Sequence, residues 1–161
     1  QTKRSLQGRQ RFMTFSPPEF TSQQRAALEE AYRETLYEVF VDEQTVVIRV
    51  GVPNSELARL MQQYDQISWA LITAWNPYSQ VLSEAKNEAR NVALEGEIQQ
   101  LERPYLKALG KDPLGEWLSE ESFFMLGIGR EDAIALGKKF EQNAILYGSL
   151  TLQPQLIWLL K

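Results

Sequence analysis

The feature that most restricts this chain is a pattern it carries twice, 76 residues apart. Gly51 stands against Gly127, Leu57 and Leu60 against Ala133 and Leu136, and Tyr64-Asp65-Gln66 against Phe140-Glu141-Gln142. Each copy reads as strand, glycine turn, amphipathic helix, aromatic–acid–Gln, strand. The helices follow from apolar residues at i, i+3, i+4 and i+7, as at Leu57, Leu60, Met61 and Tyr64. The strands follow from short runs rich in Val, Ile and aromatic residues bounded by turn residues. Two βαβ-like units, each a right-handed crossover if its strands are parallel, in a chain of 161 residues predict one α+β domain. The expected architecture is a mixed sheet of about five to seven strands covered by three or four helices.

The remaining segments fit around that frame. Thr21 followed by Gln24 is a capping box opening a helix with Ala27, Leu28, Ala31 and Tyr32 as its apolar stripe. From Leu36 the period changes to two, and residues 36–41 and 45–50 read as strands joined at Asp42-Glu43-Gln44. Asn54 caps the first repeated helix. Residues 67–74 read as a buried strand stopped by Asn76-Pro77. Ser83 caps a longer helix to about Leu101, expected to face inward through Ala85, Ala89, Val92, Ala93 and Ile98. Residues 122–127, 130–140 and 143–148 read as strand, helix and strand. Between them, Pro104, Gly110, Pro113 and Gly115 interrupt any regular pattern over 103–122. The apolar stretch Leu156 to Leu160 reads as a last strand or a docking tail. The layout expected is a basic tail over residues 1–20 and one domain over 21–161, with an apolar C-terminal segment at 150–161.

The chain has no cysteine and no histidine. Thiol chemistry, disulfides, histidine-dependent triads and the common zinc, copper and non-haem iron sites are thereby excluded. Any proton transfer falls to Glu, Asp, Lys or Tyr with a shifted pKa. No metal site and no cofactor is predicted. No run of eighteen apolar residues or signal-peptide pattern is visible, and a cytoplasmic location is expected. The net charge of −4 argues against general nucleic-acid binding. Residues 1–13 hold Lys3, Arg4, Arg9 and Arg11 and no acid, so residues 14–161 carry −8. That basic arm, with Trp158 in the apolar end, is the candidate surface for a protein partner or for self-association.

A set of blocks in fixed order carries a resemblance. They are Trp69-Ala-Leu-Ile-Thr-Ala-Trp75-Asn76-Pro77, Leu82-Ser83, Asn87-Glu-Ala-Arg90-Asn91, Gly115-Glu-Trp117, Glu120-Glu121-Ser122 and Phe140-Glu-Gln142-Asn143-Ala144. Together they resemble the bacterial domain-of-unknown-function family numbered 3293, over roughly residues 30–148. The resemblance implies a shared fold unit and no assigned activity.

Several motifs carry both a functional and a structural reading. Asn87, Arg90 and Asn91 share one helix face, and asparagine is a poor helix former. They either read a polar or anionic ligand, or tie down the Trp75–Gln80 loop and the Gln142-Asn143 turn. Trp75 and Trp117 stack on a ring or lid the core. Glu120 and Glu121, with Ser122, act as magnesium ligands or acid and base, or form a solvated turn. Adjacent carboxylates on an extended segment point to opposite faces, so only one serves an inward site. Gly127-Ile-Gly129-Arg130 before a helix is a phosphate cradle or a plain turn. The reading preferred from sequence is a non-catalytic domain that docks onto a protein partner. The alternative is a small-molecule-binding domain or enzyme built on Trp75, Asn76, Asn87, Arg90, Asn91, Glu121, Arg130, Gln142 and Asn143.

Overall fold

The structure, a computed structural model, describes residues 14–161; Lys3, Arg4, Arg9 and Arg11 lie outside them. In chain order the elements are α1 (Ser22–Glu34), β1 (Leu36–Val41), β2 (Gln44–Ile48), α2 (Ser55–Gln63), β3 (Ser68–Ile72), a 3-10 turn (Pro77–Ser79), α3 (Glu84–Gln100), β4 (Tyr105–Lys111), β5 (Glu120–Leu126), α4 (Arg130–Lys139), β6 (Ala144–Ser149) and β7 (Gln155–Trp158). The seven strands form one sheet in the order β2-β1-β4-β5-β3-β6-β7. The α+β class, the single sheet and the helical cover agree with the sequence reading.

The expected mixed sheet needs correction, because every neighbouring pair is antiparallel. The reason is topological. Each helical crossover carries the chain past at least one strand: β5–α4–β6 straddles β3, and β2–α2–β3 straddles β1, β4 and β5. Within each repeated unit the two strands run parallel, but another strand always lies between them.

The repeat is visible in the backbone itself. Gly51 and Gly127 have φ of 77° and 78°, and Asp65 and Glu141 have φ of 53° and 58°. At both helix ends the chain closes the same way. Gln66 N–H donates to Met61 O and Gln142 N–H to Gly137 O, while Asp65 N–H donates to Gln62 O and Glu141 N–H to Lys138 O. This is the left-handed helix stop that satisfies the last carbonyls. The two helices cover opposite faces of the sheet. Leu57, Leu60 and Met61 of α2 pack with Val39, Ile48, Trp69 and Phe124 on one face. Ala133 of α4, with Leu94 and Ile98 of α3, packs with Ala70, Ile72, Met125 and Ile145 on the other. Trp69 stacks on Phe124 with centroids 5.2 Å apart. Its opposite neighbour in the sheet is Gly148, where a Cβ would sit 2.6 Å from the indole ring.

Three segments differ from expectation or resolve it. Residues 105–111, obscured in sequence by their flanking breakers, form β4 between β1 and β5. The apolar end is a strand, β7, paired with β6. Helix α3 is turned relative to its expected face: it buries Asn87, Arg90, Asn91, Leu94 and Ile98, while Ala85, Ala89 and Val92 face solvent. Helix α1 opens with the expected capping box but buries no residue fully. It is held by Phe20, whose ring centroid lies 6.1 Å from that of Trp158, and by Arg25, 5.0 Å over the same indole.

Candidate functional site

At the end of the sheet where β3 finishes and β5 and β6 begin, the chain forms a cavity of about 780 Å³. Its floor is the α2 face of the sheet, through Tyr37, Leu71, Leu146 and Leu156, and α1 covers it with Leu28, Ala31 and Tyr32. The walls are the loop after β3, with Trp75, Asn76 and Ser79, the loop before β5, with Trp117 and Leu118, and the start of β6, with Asn143. The size and mixed lining are those of a small-molecule pocket.

The wall after β3 is conformationally unusual. Asn76, Tyr78 and Ser79 have φ of 45°, 49° and 64°, each a left-handed non-glycine residue costing on the order of 1 kcal/mol or more. Tyr78 N–H donates to Glu141 O at 2.8 Å and Ser79 N–H to Asn76 O at 3.0 Å, and the buried face of α3 holds the loop at Ala74, Asn76 and Leu82. Asn87 Oδ1 accepts from Asn76 N–H at 2.8 Å, and Asn87 Nδ2 donates to Asn76 Oδ1 at 2.8 Å and to Leu82 O at 3.3 Å. Asn91 Oδ1 accepts from Ala74 N–H at 2.9 Å, and its Nδ2 donates to Glu121 O at 2.8 Å. Arg90 donates to Ala74 O and Phe140 O, both at 2.7 Å, and pairs with Glu141 at 3.3 Å. Glu141 also accepts from Phe15 N–H. Gln142 Nε2 donates to Trp75 O and Phe140 O. These polar groups are thus committed to backbone, and they explain two asparagines and an arginine on the inner face of a helix.

Other groups at the cavity are less fully partnered among the described residues. Alternation along β5 sends Glu120 to the cavity face and Glu121 to the other, where Glu121 is exposed. The Glu120 carboxylate has one hydrogen bond among the described residues, a long one of 3.5 Å from Asn76 Nδ2. Burial pushes its pKa up to about 7, against the opposing effect of Asn76. Burial also raises the Tyr32 phenol, with the Glu120 charge adding to the rise and Asn143 opposing it. Asn143 Nδ2 donates to Ser79 Oγ at 2.8 Å and to Tyr32 Oη at 3.4 Å, while its Oδ1 has no partner among the described residues.

The structure therefore brings Trp75, Asn76, Asn87, Gln142 and Asn143 to one cavity, with Arg90 and Asn91 behind its wall. Arg130 lies apart, at the far end of β5, exposed and 3.9 Å from Glu131. The Gly127 turn before it is filled by the Gln66 side chain, which a Cβ would meet at 2.2 Å. Glu120, Tyr32, Ser79 and Trp117 complete the cavity. Strand parity signals that Glu120 and Glu121 separate, but the sequence carries no mark of which face holds the opening. Among the described residues no cluster of potential metal ligands occurs, and no helix is long and apolar enough to cross a membrane.

A family model described as "Protein of unknown function (DUF3293)" matches residues 72–145. The chain resembles that family. The matched stretch runs from the end of β3 to the start of β6, so the DUF3293 resemblance takes in the left-handed wall, the polar face of α3, Glu120 and Asn143, and leaves out α1 with Tyr32. It is narrower than the stretch expected from sequence. Searches of curated proteins and of solved structures gave no match.

Proposed function

We propose that the protein binds a small organic molecule in this cavity, with its apolar or ring-bearing body among the leucines and aromatic side chains and its polar head at Glu120. The observation that carries the reading is the cavity of about 780 Å³ lined by Tyr32, Trp75 and Trp117 around one poorly partnered carboxylate. The left-handed residues on its wall support it, since strained backbone concentrates at binding sites.

The test is binding of the neutral dye Nile red, whose emission rises in apolar surroundings. Wild type is expected to enhance the emission. Ala31→Trp, on the solvent-side helix lining the cavity, is expected to abolish the enhancement while keeping the melting temperature. Equal enhancement by both proteins, or none by wild type, refutes the reading.

Docking onto a protein partner or a second copy has separate support. Phe40 and Val47 stand 40% and 41% exposed on the opposite sheet face, and Phe40 shares a groove with Val92 of α3. Under that reading Phe40→Glu removes association, read by light scattering on a sizing column, and leaves the melt unchanged. A protein that is monomeric and without a specific partner before the substitution excludes it.

A further inference from the structure

Resting on the binding reading above, we infer that the ligand of this cavity is an organic cation: an amine on an apolar or aromatic body, its ammonium paired with Glu120.

The charge inventory sets the sign. Two acids line the cavity, Glu120 within it and Glu84 on the first turn of α3, and no lysine or arginine does among the described residues. The buried guanidinium, Arg90, is taken up by Ala74 O, Phe140 O and Glu141. An anionic ligand would meet Glu120 with no counter-charge. Arg90, a candidate from sequence for a polar or anionic ligand, is thus spent on the cavity's wall.

The hydrogen-bond inventory points the same way. A half-buried carboxylate is ordinarily satisfied by several donors, yet among the described residues Glu120 has the 3.5 Å contact from Asn76 alone. The missing partner is a strong donor, and an ammonium supplies three. Tyr32, Trp75 and Trp117 line the same space, and aromatic rings attract cations through their quadrupoles. Leu28, Leu71 and Leu146 receive the body that carries the charge.

The titratable groups around Glu120 are Tyr32 from α1, Tyr37 from β1 and Glu84 from α3. Burial raises both phenols, so neither competes as an anion near neutrality. With its pKa near 7, Glu120 holds a proton for much of the time below neutrality when the cavity is empty. An incoming ammonium then displaces that proton to solvent, and the complex keeps one positive and one negative charge. Affinity accordingly rises through about pH 7 and falls again when the free amine loses its proton, near pH 10.

The test uses three probes with one body: tryptamine, tryptophol and indole-3-acetate, titrated calorimetrically into the full chain at about pH 8 and about pH 6. Tryptamine is expected to bind about tenfold tighter than tryptophol at the higher pH, as a charge-assisted bond implies. Its advantage shrinks at the lower pH, with proton release detected from the buffer dependence of the heat. Indole-3-acetate is expected not to bind. Glu120→Gln keeps the shape and the Asn76 contact and is expected to level tryptamine with tryptophol. Equal binding of the two by wild type, an advantage that survives Glu120→Gln, or preference for the carboxylate overturns the cation inference and leaves the cavity reading standing. If none of the three binds, the inference is overturned, and Nile red decides whether the cavity reading falls with it.

Discussion

Glu120 and Glu121 are chemically identical neighbours, and the fold makes them unlike. Glu121 stays in water, while Glu120 is carried into a partly apolar cavity where burial lifts its pKa from 4.5 to about 7. A carboxyl whose native pKa is raised binds more protons folded than unfolded between those values. Its stabilising contribution is therefore whole below about pH 4.5 and is lost as pH rises to about 7. After allowance for solvent screening the loss is on the order of 2 kcal/mol. Wild type is thus expected to melt lower at pH 8 than at pH 5, and Glu120→Gln to remove that part of the slope. Thermal melts across the range check it, and a slope unchanged by the substitution contradicts it. From sequence, the parity of the pair was legible, because it is local. Which member meets the cavity depends on α1 and the Asn76 loop, 44 or more positions away.

Helix α3 shows how local pattern and tertiary demand conflict at the scale of an element. Its alanines and Val92 form an apolar stripe that alone predicts the inner face, yet Val92 is 70% exposed and Arg90 is 6% exposed. The unusual loop after β3 prevails. Its free backbone groups need partners, and Asn87, Arg90 and Asn91 deliver them from one helix face. The shared face and the low helix propensity of the asparagines were readable from spacing. Their partners at Ala74, Glu121 and Phe140 were not, because contacts so distant in sequence leave no local period. Asn91→Ala strands Ala74 N–H and leaves Glu121 O with the Thr73 hydroxyl alone, and is expected to cost about 1–3 kcal/mol in urea unfolding. A value within error of wild type refutes the structural role. Strand β4 was hidden for a related reason. Gly110 within it reads as a breaker, but there the glycine lies against the Tyr37 ring, 3.6 Å from a built Cβ.

At the scale of the molecule, the repeat gave two crossover units but not their pairing, since periodicity carries strand existence and not neighbour order. The apolar C-terminal segment is woven into this order: β7 closes one edge, Ile157 and Leu159 are buried, and Trp158 seats α1 through Phe20 and Arg25. Deleting residues 154–161 is therefore expected to lower the melting temperature sharply and to loosen α1 along with the edge. Burial of each large apolar side chain is worth roughly 1.5–3 kcal/mol. Circular dichroism melts of the truncated chain check this, and an intact melt would show the segment to be an appendage.

The position of β3 has a consequence for how the protein is made. Trp69 lies between Leu126 on one side and Gly148 on the other, so both neighbours of this strand are encoded long after it. On the ribosome, Ser68-Trp69-Ala70-Leu71-Ile72 emerges ahead of both and waits, apolar and with both edges open, through the synthesis of α3 and β4; β5 then supplies one neighbour, and the other edge stays open through α4. Strands of this kind are what chaperones hold and aggregates recruit. The nascent chain is most vulnerable in that interval, and its release from danger coincides with the emergence of β6.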